Sequence, residues 1–188
     1  MKELKVELQR DRLASYARLR GGWPIPMAGA IYWLVLAVQG YRLELGDWAF
    51  FAFVTSGMIF PIALLLAKIF KNPFMKDKTA TGDVLMPTFI SMLLFWTFII
   101  AAAQEGPTLI PLILAIGMSL HWPVIGWSYG RTALFSAHAI VRAIAVLFIW
   151  LHFPEHRLTW LPLSVAVIYA LTVSAILIDS KRIGEKLS

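Results

Sequence analysis

The sequence contains no cysteine, and only 15% of its 188 residues are charged. Without thiols there is no disulfide framework, no thiolate zinc site, no iron–sulfur cluster and no cysteine nucleophile. Acidic side chains are scarce as well, 11 against 17 lysines and arginines. Soluble domains are nearer half apolar and a quarter charged, whereas this chain is 59% apolar with a mean hydropathy of +0.72. A chain of this length cannot enclose that many apolar residues in one soluble core, because a small fold leaves too much of itself at the surface. The composition therefore excludes a soluble enzyme, a disordered chain and a free nucleic-acid binder. It requires an integral membrane protein, with the lipid bilayer as its first partner.

Six apolar stretches have roughly the 20-residue length that crosses a hydrocarbon core: 23–41, 48–70, 84–104, 107–129, 132–153 and 161–178. A segment in lipid must satisfy its own backbone hydrogen bonds, and these lengths suit helices and not barrel strands. The expected fold is all-α, a polytopic bundle of six transmembrane helices (21–180) between a basic segment (1–20) and a basic tail (181–188). Fourteen of the 17 basic residues fall on one side of this arrangement, two (Arg42 and Arg157) on the other, and Arg142 lies within a span. The positive-inside rule then places both termini in the cytoplasm of a bacterial inner membrane. The charges of segment 1–20 run through the stretch where a signal peptide would be apolar. Its Leu4, Leu8, Leu13 and Tyr16 form a partial helical stripe, as expected of a short amphipathic helix at the inner surface. The only local echo between the two halves, Trp23-Pro24 and Trp122-Pro123, falls at different helix positions and supports no inverted repeat.

Ionisable residues deep in a membrane are costly and so point to function. Three qualify: His121 in the fourth span, and His138 and Arg142 in the fifth. The tight connection at Tyr129, Gly130 and Arg131 makes these spans a hairpin. Both histidines then lie roughly 12 Å from the same end, at 1.5 Å per residue. His138 and Arg142, four apart, share a helix face. Pro123 cannot donate to the carbonyl of Ser119, so a kink and a free carbonyl are expected there. Trp122, Ser128, Tyr129 and Tyr32 complete the polar set expected to line a cavity among the first, fourth and fifth spans. Asp83, Glu105 and Asp179 all lie near span ends, which leaves Arg142 without an acid at its own depth.

Three readings remain open on these residues. One is a small transporter or channel-like protein whose basic cavity takes an anionic or polar small molecule or a lipid headgroup. In it Arg142 anchors the anion, and His121 and His138 donate hydrogen bonds or carry protons. The second is a haem- or metal-binding redox protein in which His121 and His138 are ligands. The third is a non-catalytic accessory or lipid-interacting protein in which the polar residues hold helices together. Six short helices also leave room for a homodimer. No G-x-S-x-G element or acid–base pairing for a hydrolase is present.

The stretch His121-Trp122-Pro123 followed by Trp127 and Tyr129 resembles a small bacterial membrane-protein family of unknown function. Gly22-Trp23-Pro24, and Ala67-Lys68-Ile69 before Asn72-Pro73, look similar to it too. The resemblance implies six membrane helices and a site shared by His121, Trp127 and Tyr129, and it implies no activity. An absorption spectrum separates the first two readings. A Soret band lost on His121→Ala or His138→Ala substitution is expected of the haem protein, and colourless protein of the anion-binding one.

Overall fold

A computed structural model describes residues 1–73, 76–79 and 81–187. No strand occurs among them, and ten α-helices follow one another: α1 (Lys2–Arg18), α2 (Pro24–Gln39), α3 (Leu45–Ser56), α4 (Ile59–Ile69), α5 (Leu85–Leu93), α6 (Trp96–Glu105), α7 (Ile110–Gly117), α8 (Trp122–Ser128), α9 (Thr132–His152) and α10 (Trp160–Leu187). Five helical stretches are long and apolar enough to cross a membrane: Arg20–Gln39, Gly82–Glu105, Pro107–Ser128, Thr132–His152 and Trp160–Leu187. The pair α3 and α4, bent by 47°, makes a sixth if it counts as one broken span.

The breaks follow from local chemistry. Pro61 has no N–H for the carbonyl of Gly57, and α3 gives way to α4 at Gly57 and Met58. The fourth apolar stretch divides between Met118 and His121, ahead of Pro123, as expected. The carbonyl of Ser119 is not left free, however. Trp122 N–H reaches back to it at 3.1 Å, and the turn tightens through Ser119 to Ile116 and Leu120 to Gly117, the shorter i→i−3 pattern that often marks a helix break. A similar tightening at Leu94 and Phe95 separates α5 from α6 without a proline. The last helix runs further than the apolar stretch, continuing through Asp179 and Lys181 to Leu187; Ser188, with Phe74, Met75 and Ala80 of the 71–83 loop, lies outside the described residues.

Helices α2 and α10 form the centre. The buried positions of α10 (Leu161, Val165, Tyr169, Thr172, Val173, Ile176 and Ser180 among them) recur every three or four residues, one face of a helix. Helix α2 packs along this face, with Gly29 against the Tyr169 ring and Ala30, Trp33 and Leu36 in the same buried cluster. Small residues at such a crossing bring two backbones close in lipid, where dispersion and not water exclusion drives association. Tyr32 Oη donates to the Ala52 carbonyl at 2.8 Å, and Trp48 Nε1 donates to that of Leu36 at 3.0 Å, pinning α3 against α2.

Helix α9 reverses the pattern of a soluble protein. Its buried stripe is Phe135, His138, Arg142 and Val146, while Ile140, Val141, Ile144, Leu147, Phe148 and Leu151 are all more than two-fifths exposed. Apolar residues outside and ionisable ones inside make sense only in an apolar solvent. The Gly82–Glu105 stretch, 11% buried, is peripheral, whereas Arg20–Gln39, 67% buried, is interior.

Helix α1 lies across one end of the bundle. It enters α2 through Arg20, Gly21 and Gly22, all at positive φ. A Cβ on Gly21 would overlap Ile176, and one on Gly22 would come within 2.7 Å of Tyr129 Oη. Arg12, Ser15 and Tyr16 are the buried face of α1, while Leu4 is two-thirds exposed. Gly29 of α2 tests the central crossing, since a Cβ there would stand 2.9 Å from the Tyr169 ring. Gly29→Val is expected to destabilise the protein by about 2 kcal/mol through overpacking, read as a lowered melting temperature in detergent.

Candidate functional site

The site is built around Arg142, which has no exposed surface. Its Nη1 donates to Tyr169 Oη at 3.0 Å, and its guanidinium lies over two aromatic faces, 5.0 Å from the Trp33 ring and 5.2 Å from that of Tyr169. A cation over such faces is attracted by the ring quadrupole, more strongly when both are desolvated. No carboxylate accompanies it: the ion pairs among the described residues, Arg18 with Asp77 and Arg131 with Asp179, both lie at the α1 end. Nε and Nη2 of Arg142 are buried and make no hydrogen bond among the described residues.

One helical turn away on the same face, His138 Nδ1 lies 2.8 Å from Thr172 Oγ1. The Thr172 hydroxyl donates its single proton to the Ile168 carbonyl at 2.7 Å. It therefore accepts from His138, which fixes the proton on Nδ1 and leaves Nε2 with a lone pair. That Nε2 is buried and unpartnered. The His138 ring stacks on Trp122, centroids 3.9 Å apart, and packs at 4.7 Å on Tyr169. Trp122 in turn meets Tyr169 at 5.4 Å and His121 at 6.3 Å. The indole N–H groups of Trp33 and Trp122, and Nδ1 of His121, are buried without partners as well. Unpaired buried polar groups are uncommon and costly, and here several belong to one chain of neighbouring side chains.

His121 opens this chain outward. It occupies the position just before α8 without a side-chain cap bond, its ring stands 5.4 Å from Phe89, and it lines a cleft of about 430 Å³ between α5 and α8. Pro87, Thr88, Ser91 and Met92 form the facing wall. Arg142 itself does not line the cleft; His121 lines it and packs on Trp122, which packs in turn on His138 and Tyr169.

Of the residues expected to line one cavity, the structure gathers His121, Trp122, His138 and Arg142. Tyr32 is near, its ring 5.5 Å from Trp33, but its hydroxyl is committed to Ala52. Ser128 and Tyr129 belong to a second cluster at the α1 end. There Ser128 Oγ donates to Ile125, and the Ser128 carbonyl accepts from Thr81 at 3.1 Å. Tyr129 packs at 5.7 Å on Tyr16 and 5.9 Å on Phe135. Arg12 of α1 donates to the Trp127 carbonyl and lies 4.6 Å over that ring. Ser15 and Arg18 hold the two oxygens of Asp77 at 2.5 and 2.6 Å. Burial, with the Asp179 carboxylate adding to it, pushes the Tyr16 phenol above its ordinary value, so this hydroxyl stays neutral and donates to the Ile176 carbonyl at 3.4 Å.

Sequence reasoning missed the contribution of α10. Tyr169 and Thr172, three apart in an otherwise apolar run, were the available signal: a buried arginine without an acid needs neutral acceptors at its own depth. Tyr169→Phe removes the one hydrogen bond that Arg142 makes among the described residues. A lost bond to a buried charged group costs about 1.5–3 kcal/mol, so a correspondingly lower melting temperature is expected, with Tyr32→Phe changing less.

No group of three or more His, Asp or Glu side chains gathers as a metal cluster among the described residues. No curated protein and no solved structure matches the chain. The model of a family of unknown function (DUF7010) matches residues 7–179, which takes in every helix from α1 to α10 in whole or in part. The chain therefore belongs to this family of unknown function, DUF7010.

Proposed function

We propose that the protein is a small transporter or channel-like protein of a bacterial inner membrane, with both termini cytoplasmic and a basic intramembrane locus that takes an anionic or polar small molecule. The observation that carries this reading is the uncompensated charge of Arg142: fully buried, without a carboxylate, and with two of its N–H-bearing nitrogens unpartnered. An unpaired charge in a low-dielectric interior is costly, and an anion reaching Arg142 would neutralise it.

The chemistry of the locus narrows the ligand. Arg142 Nε and Nη2 and the indoles of Trp33 and Trp122 offer donors, while His138 Nε2 offers an acceptor. An oxyanion that also carries a hydroxyl uses both, with its charged oxygens toward the guanidinium and its O–H toward His138 Nε2. His138 then accepts a hydrogen bond in the neutral state and carries a proton when that hydroxyl transfers it. His121, on the wall of the cleft, meets the ligand first. Passage inward requires the Trp122 ring to shift, and the break at Met118–His121 supplies a hinge for that movement. The fourteen-to-two distribution of basic residues supports the orientation.

The test uses purified full-length protein in detergent with inorganic phosphate, acetate and lactate as probes. At least one is expected to raise the melting temperature of the wild type, and Arg142→Met to abolish that response in folded, monodisperse protein. A hydrophobic replacement of a charge that serves only as helix glue is often neutral or stabilising. No response of the wild type to any probe, together with an Arg142→Met variant at least as stable as the wild type, would overturn the proposal in favour of a structural arginine.

A further inference from the structure

A second basic feature lies apart from the buried locus, where α4 ends near the α1 end of the bundle. The Asn72 N–H reaches the Ala67 carbonyl at 2.8 Å, and the Phe70 N–H reaches that of Leu66 at 2.9 Å. This ending places one residue in the left-handed region, a position glycine usually fills. Here it is Lys71, with φ +51°. A side chain retained where glycine is favoured points to a task for that side chain.

Lys71 lines a groove of about 440 Å³ together with Leu64, Ala67, Lys68, Asn72 and Lys76. Asn72 is held in place by its own amide, which donates to the Leu19 carbonyl at 2.7 Å. Among the described residues no acidic side chain lines the groove, and none of its three lysines forms an ion pair. Beside it, Leu65, Ile69 and Phe70 are each more than half exposed. Three ammonium groups at the end of an apolar helix, next to uncovered apolar side chains, fit a ligand that is anionic at one end and hydrocarbon at the other.

We infer that this groove binds the phosphate headgroup of an anionic lipid, with the lipid's acyl chains lying along the exposed face of α4. Lysines at the water–lipid boundary are attracted to anionic headgroups, and the bend between α3 and α4 tilts this short helix independently of the rest of its span. An acidic peptide would use the lysines but leave the apolar flank uncovered. The inference rests on insertion of the protein in a bilayer and not on the ligand proposed for Arg142.

The test places full-length protein in nanodiscs and follows lipid retention by native mass spectrometry, with phosphatidylglycerol and phosphatidylcholine of equal chain length as probes. Incorporation into the discs reports insertion separately. Phosphatidylglycerol is expected to be retained selectively. Each lysine near an anionic surface contributes about fivefold, so the variant Lys68→Gln/Lys71→Gln/Lys76→Gln is expected to lose about a hundredfold in affinity. The control Lys2→Gln/Lys5→Gln/Arg10→Gln removes the same charge from α1, outside the groove, and is expected to weaken retention clearly less than the groove variant does. Lys71→Gly relieves the left-handed backbone and removes one charge. It is expected to raise the melting temperature while weakening lipid binding, a split that misfolding cannot produce. Equal losses in the two triple variants would reduce the effect to diffuse charge and overturn the site. Displacement of the lipid by inorganic phosphate at equal concentration would assign the groove to a soluble phosphate and overturn the lipid. In either case the response of the wild type to anions at Arg142 remains a separate measurement.

Discussion

A guanidinium without a carboxylate has to be held by weaker partners, and the centre of this protein is arranged around that requirement. Arg142 is surrounded by the Trp33 face, the Tyr169 face and the Tyr169 hydroxyl, contributed by α2 and α10. These two helices also pack on each other, and Gly29 lets the backbone of α2 approach the Tyr169 ring. Cation–π attraction and one charge-assisted hydrogen bond compensate part of the desolvation. The unpartnered Nε and Nη2 mark what is left uncompensated. The same side chains thus define the packing of the central pair and expose the chemistry of the site.

Around this centre the helices are broken more often than membrane length demands. The breaks at Gly57–Met58 and Met118–His121 precede prolines, while that at Leu94–Phe95 does not. Each replaces regular i→i−4 bonds by tighter ones, so the backbone remains satisfied while the helix changes direction. The break at Met118–His121 matters most, because it presents His121 both to the α5–α8 cleft and to the aromatic chain leading inward. The N-terminal helix closes the end of the bundle by another route. Arg12, Ser15, Tyr16 and Arg18 make polar and aromatic contacts with Trp127, Asp77, Tyr129 and Ile176, and so join α1 to three separate parts of the chain.

The membrane class and the approximate extent of the apolar stretches were legible in the sequence, because they depend on composition and run length and not on how helices meet. His121, His138 and Arg142 were legible for a related reason: an ionisable residue is conspicuous against an apolar background wherever it later points. The i, i+4 spacing of His138 and Arg142 also fixed their common face without reference to any partner. The separation of Ser128 and Tyr129 from that site was not legible. Helical spacing brings residues to one side of a helix but does not say which neighbouring element that side meets, and α1 meets these two.

What the sequence by itself determined was a solvent and a set of costly groups: apolar helices with one arginine and two histidines deep in the apolar stretches and no acid beside them. Only the tertiary structure decided how the cost is met. It brought Tyr169 and Thr172 from the last helix to residues about thirty positions earlier, fixed the tautomer of His138 through the hydrogen bond that Thr172 gives to Ile168, and turned the leucine-bearing N-terminal helix so that Arg12, Ser15 and Tyr16 are covered. Those outcomes depend on contacts between distant segments, whose partners are chosen by the packing of whole helices and leave no periodic trace along the chain.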